Sequence, residues 1–254
     1  MPAPAHRTKH LPLISHPPFL LTQHDDHLDT GTTLWLGAQC LASYLPTLSR
    51  PATRPTALEL GSGIGLTALI LASLGWHVLA TDTRHVITTV LGPNVSRNAS
   101  QLPPASGEIH VRELDWSVLP EHWDWTSPTA IACSDRPPSE TPADGLSPPF
   151  DLIVSSDTLY HPELITPLLR TMHAVCTQSL AHGSRPPPVY LCIERRDPAL
   201  IDQALLEAKT RWNFRTERVP QRKLSKAMEK GGLRWAKEDW EGVELWKLTL
   251  RRET

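Results

Sequence analysis

Cysteine is sparse and scattered: Cys40, Cys133, Cys176 and Cys192 include no Cys-x-x-Cys pair. That spacing argues against a zinc ribbon or a redox dithiol, so no metal site is expected. The first twenty residues lack the continuous apolar run of an export signal. The thiols therefore read as reduced, and the chain as cytoplasmic. Long hydrophobic runs are missing too. The longest, Leu66 to Ala80, is interrupted by Thr67, Ser73 and His77, short of the ~18 residues a membrane helix needs. An excess of one charge sign is also absent. With 25 basic and 27 acidic residues the formal net charge is -2, which excludes the global basic field of a general nucleic-acid binder. Neither a nucleic-acid nor a membrane partner is expected, and nothing demands a dimer over a monomer. The late basic residues, among them Arg211, Arg215, Arg218, Arg222, Lys223, Lys226 and Lys230, read as a solvated helix face. What the chain has in excess is proline. Its 25 prolines are roughly twice the usual ~5% share and must sit mostly in loops and tails.

The organisation follows from periodicity. Residues 1–30 are rich in Pro and His without a period and read as an N-terminal arm. Residues 31–254 read as one domain. Apolar positions over 33–48 lie at helical spacing, with Pro46 ending or kinking the helix. From 56 onward come strand (TALEL), turn (GSGIG), helix with Gly75 at its C-cap, and strand (WHVLATD), a βαβ unit implying a parallel sheet. A helix interrupted at Gly92-Pro93 follows. Further strands are IHVRELDW, FDLIVSSD, PVYLCIE, FRTERVP and VELWKLTL, with helices between. The Pro/Ser/Asp-rich stretch 117–149 reads as a loop insertion with nothing to build a core. The expected fold is α/β: a Rossmann-like, seven-stranded, mostly parallel sheet with helices on both faces.

The strongest chemical signal is Glu59-Leu60-Gly61-Ser62-Gly63-Ile64-Gly65, followed about twenty residues on by Asp82. Glycines let the backbone turn sharply and approach a ligand closely. An acid ending the next strand can accept from both ribose hydroxyls. The spacing is GxGxG, and Leu66 stands where a dinucleotide fingerprint has its third glycine. No Lys-Ser/Thr pair follows, so this is no phosphate-binding P-loop. The Glu59 carboxylate would repel a pyrophosphate and suits the cationic amino-acid part of S-adenosylmethionine.

Three further stretches carry a family resemblance: Leu34-Trp35, Leu114-Asp115-Trp116, and Ser156-Asp157-Thr158-Leu159-Tyr160. With the glycine turn, they resemble the seven-β-strand protein-lysine methyltransferases, methyltransferase family 16, whose most specific mark is the D-x-x-Y of Asp157 and Tyr160. The resemblance covers about residues 30–250 and implies a class I methyltransferase using S-adenosyl-L-methionine. It implies that Trp35 packs beside the cofactor and that Gly61, Ser62 and Gly63 wrap its amino-acid end. Asp82 would hold the ribose, Asp115 and Trp116 would flank the adenine, and Ser156 would line the site. Asp157 and Tyr160 would orient the acceptor amine. The stretch KAMEKGGLRWAKEDWEGVELWKL resembles fungal members acting on translation elongation factor 1-alpha, which is the protein substrate implied. Taken alone, Trp35 and Trp116 could be core aromatics, Asp157 a helix cap, Tyr160 a capping tyrosine and His161 a loop residue. The rival functions are a small-molecule methyltransferase on the same fold and a non-catalytic binding or scaffold protein.

Overall fold

The computed structural model describes residues 10–11, 19–24, 30–51, 53–133, 145–183, 185–233 and 235–252. Most of the 1–30 arm and the centre of the 117–149 insertion lie outside them. The strands are β1 (His10–Leu11), β2 (Phe19–Leu20), β3 (Thr56–Leu60), β4 (His77–Asp82), β5 (Ile109–Leu114), β6 (Ala130–Ala132), β7 (Leu152–Ser156), β8 (Val189–Glu194), β9 (Phe214–Arg218) and β10 (Val243–Leu250). The helices are α1 (Leu36–Tyr44), α2 (Leu66–Ser73), α3 (Arg84–Val86), α4 (Gly92–Asn98), α5 (Pro162–His182), α6 (Pro198–Thr210) and α7 (Gln221–Lys230).

The main sheet has eight strands in the order β6-β5-β4-β3-β7-β8-β10-β9. Strands β3 to β8 run parallel, while β10 is antiparallel to both β8 and β9. All seven expected strands form. The eighth, β6, corrects the expectation: it comes from the 117–149 stretch read as a structureless insertion. Ile131 and Ala132 are 2% exposed, and β6 adds to the edge of β5. The buried Arg112 secures it by donating from Nη1 to the carbonyls of Trp125 and Ser127, and from Nη2 to that of Leu146.

Alternation along the strands sorts the core into two layers. Ala57, Val78, Ala80, Val154 and Cys192 face one side, with residues of α1, α2, α4 and α7. Leu58, Leu79, Ile153, Leu191 and Ile193 face the other, with α5 and α6. Helix α2 ends as its sequence requires. Gly75 (φ +86) is left-handed, its N–H bonds Ala72 O, and the Trp76 N–H reaches back to Leu71 O, closing a Schellman cap. The break expected at Gly92-Pro93 is instead a continuous helical path. Residues Ile87–Leu91 form a π-helical segment, whose wider turn precedes Pro93, a residue with no N–H to give. Residues 19–24 are docked on this path. Asn98 pairs with the Leu20 backbone and Asn94 with that of Thr22, each through one donor and one acceptor, and Phe19 is fully buried.

Candidate active site

The carboxyl ends of β3, β4, β5, β7 and β8 bring Gly61, Asp82, Asp115, Asp157 and Glu194 to one edge of the sheet. Ligands bind at this edge in open α/β sheets. The glycine turn leaves β3 with its N–H groups spoken for. Gly61 and Ser62 donate to Thr81 O, at 3.0 and 2.9 Å. The Gly63 N–H donates to Asp82 Oδ2 at 2.8 Å, and Asp82 Oδ1 accepts from Thr83 N. Gly61 needs its glycine twice over. Its φ is +72, and a Cβ there would meet the Thr158 methyl at 2.6 Å and the Trp116 ring at 3.3 Å.

Glu59 lies beneath this turn, 1% exposed. Burial above all, with the Asp82 charge adding to it, pushes its carboxyl up to about 8 against the hydrogen bonds of Ser62, Thr67 and the Ala68 N–H. Its Oε2 has no hydrogen-bond partner among the described residues. Trp116 packs against the α5/α6 layer and presents a buried Nε1 that is also unpartnered. Asp115 turns back to accept from Ser117 N. Ser156 ends β7, partly exposed.

Asp157 holds the other half of the site. It follows β7 in the left-handed region, φ +53, which aspartate tolerates better than most residues. Helix α5 starts at Pro162 with His161 at its N-cap, so Asp157 is no helix cap. Its Oδ2 accepts from the Gly37 N–H at 2.6 Å, in the first turn of α1, and its Oδ1 from the Glu194 N–H at 3.0 Å. Desolvation raises its pKa to about 6 against the lowering effect of those two bonds and of Arg196. The approach of α1 is close: a Cβ on Gly37 would lie 2.6 Å from the carboxylate. Tyr160 is 53% exposed at the mouth of a cavity of about 190 Å³ that Asp157, Leu159, Ile193, Glu194, Arg196, Asp197 and Leu200 also line. Trp35 precedes α1, fixed by its Nε1 donating to Thr30 O at 2.6 Å, with the Arg196 guanidinium 4.5 Å above its ring. His161 is exposed, 3.9 Å from Glu163.

Several residues here carry no mark in the sequence. Gly37 follows an apolar helix start like many others. Ser155 and Thr158 share a hydrogen bond, and Ser155 also donates to Leu60 O, tying the ends of β3 and β7 together. Glu194, an acid closing an apolar strand as Asp82 does, offered the one available signal. Among the described residues no cluster of His, Cys, Asp and Glu could hold a metal, and no helix is long and apolar enough to cross a membrane.

The residues fit a cationic adenosyl cofactor. The Asp82 carboxylate opposes a pyrophosphate and already takes the Gly63 N–H that a phosphate would need. Comparison with known proteins points the same way. Residues 15–135 match the family model described as lysine methyltransferase. The chain is 34% identical to human methyltransferase-like protein 22 over 35% of its length, and 30% identical to the mouse protein N-lysine methyltransferase METTL21A over 60%. These matches take in 22% and 58% of those relatives, so the chain spans only part of each. Among solved structures, the glycopeptide N-methyltransferase MtfA (TM-score 0.52, 12% identity, 91% of this chain and 94% of that one) and a methyltransferase from Pyrococcus furiosus (0.50, 12%, 91% and 88%) share the fold. The chain thus has the mostly parallel α/β sheet of class I methyltransferases, and over residues 15–135 it is similar to the lysine methyltransferase family.

Proposed function

We propose that the protein is an S-adenosyl-L-methionine-dependent protein-lysine N-methyltransferase. The observation that carries this reading is the juxtaposition, at one sheet edge, of an anionic glycine turn and a second buried acid, Asp157, beside a cavity of about 190 Å³. Gly61, Ser62 and Gly63 would hold the cofactor's amino-acid end, Asp82 its ribose, and Asp115 and Trp116 its adenine, with Trp35 and Ser156 lining the site. When bound, S-adenosylmethionine supplies a methyl group activated by its sulfonium. The acceptor amine must be neutral to attack, which costs roughly 4–5 kcal/mol at pH 7 for an ordinary lysine of pKa ~10.4. Asp157 is fixed by two backbone N–H groups and keeps further lone pairs to accept from the amine. Tyr160 stands at the entrance and guides the side chain inward. Alignment then supplies most of the rate.

The finer reading is a cytoplasmic monomer acting on translation elongation factor 1-alpha, supported by the resemblance of residues 226–248. The test is labelled-methyl transfer in a lysate from cells lacking this protein, with Asp157→Ala as control. One labelled band, lost in the variant and comigrating with purified elongation factor 1-alpha, is the expected outcome. A labelled lysine in another protein overturns the target alone. No protein label despite tight S-adenosylmethionine binding overturns the protein-substrate reading in favour of a small acceptor.

A further inference from the structure

A cation of the chain itself, Arg196, lines the cavity and lies between an aromatic ring and a carboxylate. The Arg196 guanidinium stacks on the Trp35 ring, its carbon 4.5 Å from the centroid. Its Nε donates to Glu194 Oε2 at 2.9 Å, and its Nη2 meets the same oxygen. An aromatic face with adjacent carboxylates is a binding site for an organic cation. The frame around Arg196 is held by backbone. Trp35 is pinned through Thr30 O, Asp157 through Gly37 and Glu194, and Glu194 by its place at the end of β8. Arg196 lies beyond that strand, with its side chain 49% exposed. The cavity lining carries three carboxylates, Asp157, Glu194 and Asp197, and the single cation Arg196. Such a lining still favours a second positive charge.

We propose that Arg196 is a built-in surrogate for the acceptor lysine, and that it must swing off Trp35 and Glu194 for that lysine to enter. The proposal rests on the lysine reading of the same site. Charge balance then sets a preference among substrates. The entering ammonium takes over Glu194 and the ring face, which leaves the Arg196 guanidinium without its carboxylate. An acidic residue next to the target lysine restores a bidentate pair with it. An amide or a basic neighbour does not. The favoured acceptor is therefore a lysine adjacent to Asp or Glu.

The test is calorimetric titration of the full chain with two probes, N-acetyl-Lys-Asp-amide and N-acetyl-Lys-Asn-amide. The wild type is expected to bind the first about tenfold more tightly, a difference of ~1.4 kcal/mol. Arg196→Gln opens the mouth and removes the preference: it binds the Asn probe at least as tightly as the wild type does, and the two probes alike. Arg196→Lys, with a charge but no planar fork, falls between. Equal binding of both probes by the wild type overturns the proposal. So does an Arg196→Gln variant of unchanged circular dichroism that binds the Asn probe more weakly than the wild type. The titration involves no methyl transfer. An unlabelled lysate with an intact probe preference overturns the protein-substrate reading and leaves the gate standing.

Discussion

At the scale of single residues, the site depends on carboxylates placed by backbone. Gly37→Ala should improve helix propensity by up to ~1 kcal/mol, yet its Cβ would press on Asp157. The expected result is a lower melting temperature and at least a tenfold loss of methyl transfer, read by thermal unfolding and by initial rates. Asp157→Asn offers one acceptor where two N–H groups need two, so one buried donor goes unmet at about 1–3 kcal/mol. Melting should drop by several degrees. The sign of the pH dependence follows from the raised folded-state pKa of Asp157. The native state holds this proton better than the unfolded chain, so its contribution favours folding below about 4 and is lost as pH rises to about 6. If the ionised form orients the amine, activity climbs through the same window, and that acid limb should vanish in Asp157→Asn. Glu59 acts with the same sign over a wider window. Its pKa goes from 4.5 to about 8, so stability should fall between those limits. Comparing melting at pH 5.5 and 8.5 checks this: the wild type should lose more than Glu59→Gln over that span.

Elements show where local sequence stops being informative. Most of the seven longer strands are legible as apolar or alternating runs bounded by turn residues, the glycine turn by its spacing, and Asp82 and Asp157 as acids at strand ends. Strand β6 is not. Ala130–Ala132 is too short to show a period, and it owes its order to β5 and to Arg112, a cation whose burial no local pattern announces. The pairing of Asp157 with Gly37 is equally hidden, since it spans 120 residues and depends on a left-handed turn. Arg112→Leu should therefore release the stretch from Trp125 to Ala132, read as faster proteolysis within it while far-UV circular dichroism changes little. Asn94 makes a different link: its Nδ2 donates both to Thr22 O and to Ile64 O, inside the glycine turn. Asn94→Ala should loosen both, weakening S-adenosylmethionine binding severalfold by calorimetry, an effect carried through the backbone of the turn.

For the whole molecule, the two core layers lie on opposite faces of the sheet, and the site lies along one of its edges. A ligand there touches the ends of strands that anchor both layers, so binding should stabilise the fold as a unit. At a hundred times its dissociation constant, S-adenosylmethionine should add ~2.7 kcal/mol, seen as a single shifted transition. Two separate transitions would show that the layers unfold independently.

The placement of β10 between β8 and β9 also matters before folding is complete. On the ribosome, Phe214–Arg218 emerges before Val243–Leu250, the strand that must join it to the rest. At ~5–20 residues per second, the wait lasts on the order of seconds. During that interval the outer edge of β8 is an unsealed seam, closed once Val243–Leu250 has been made.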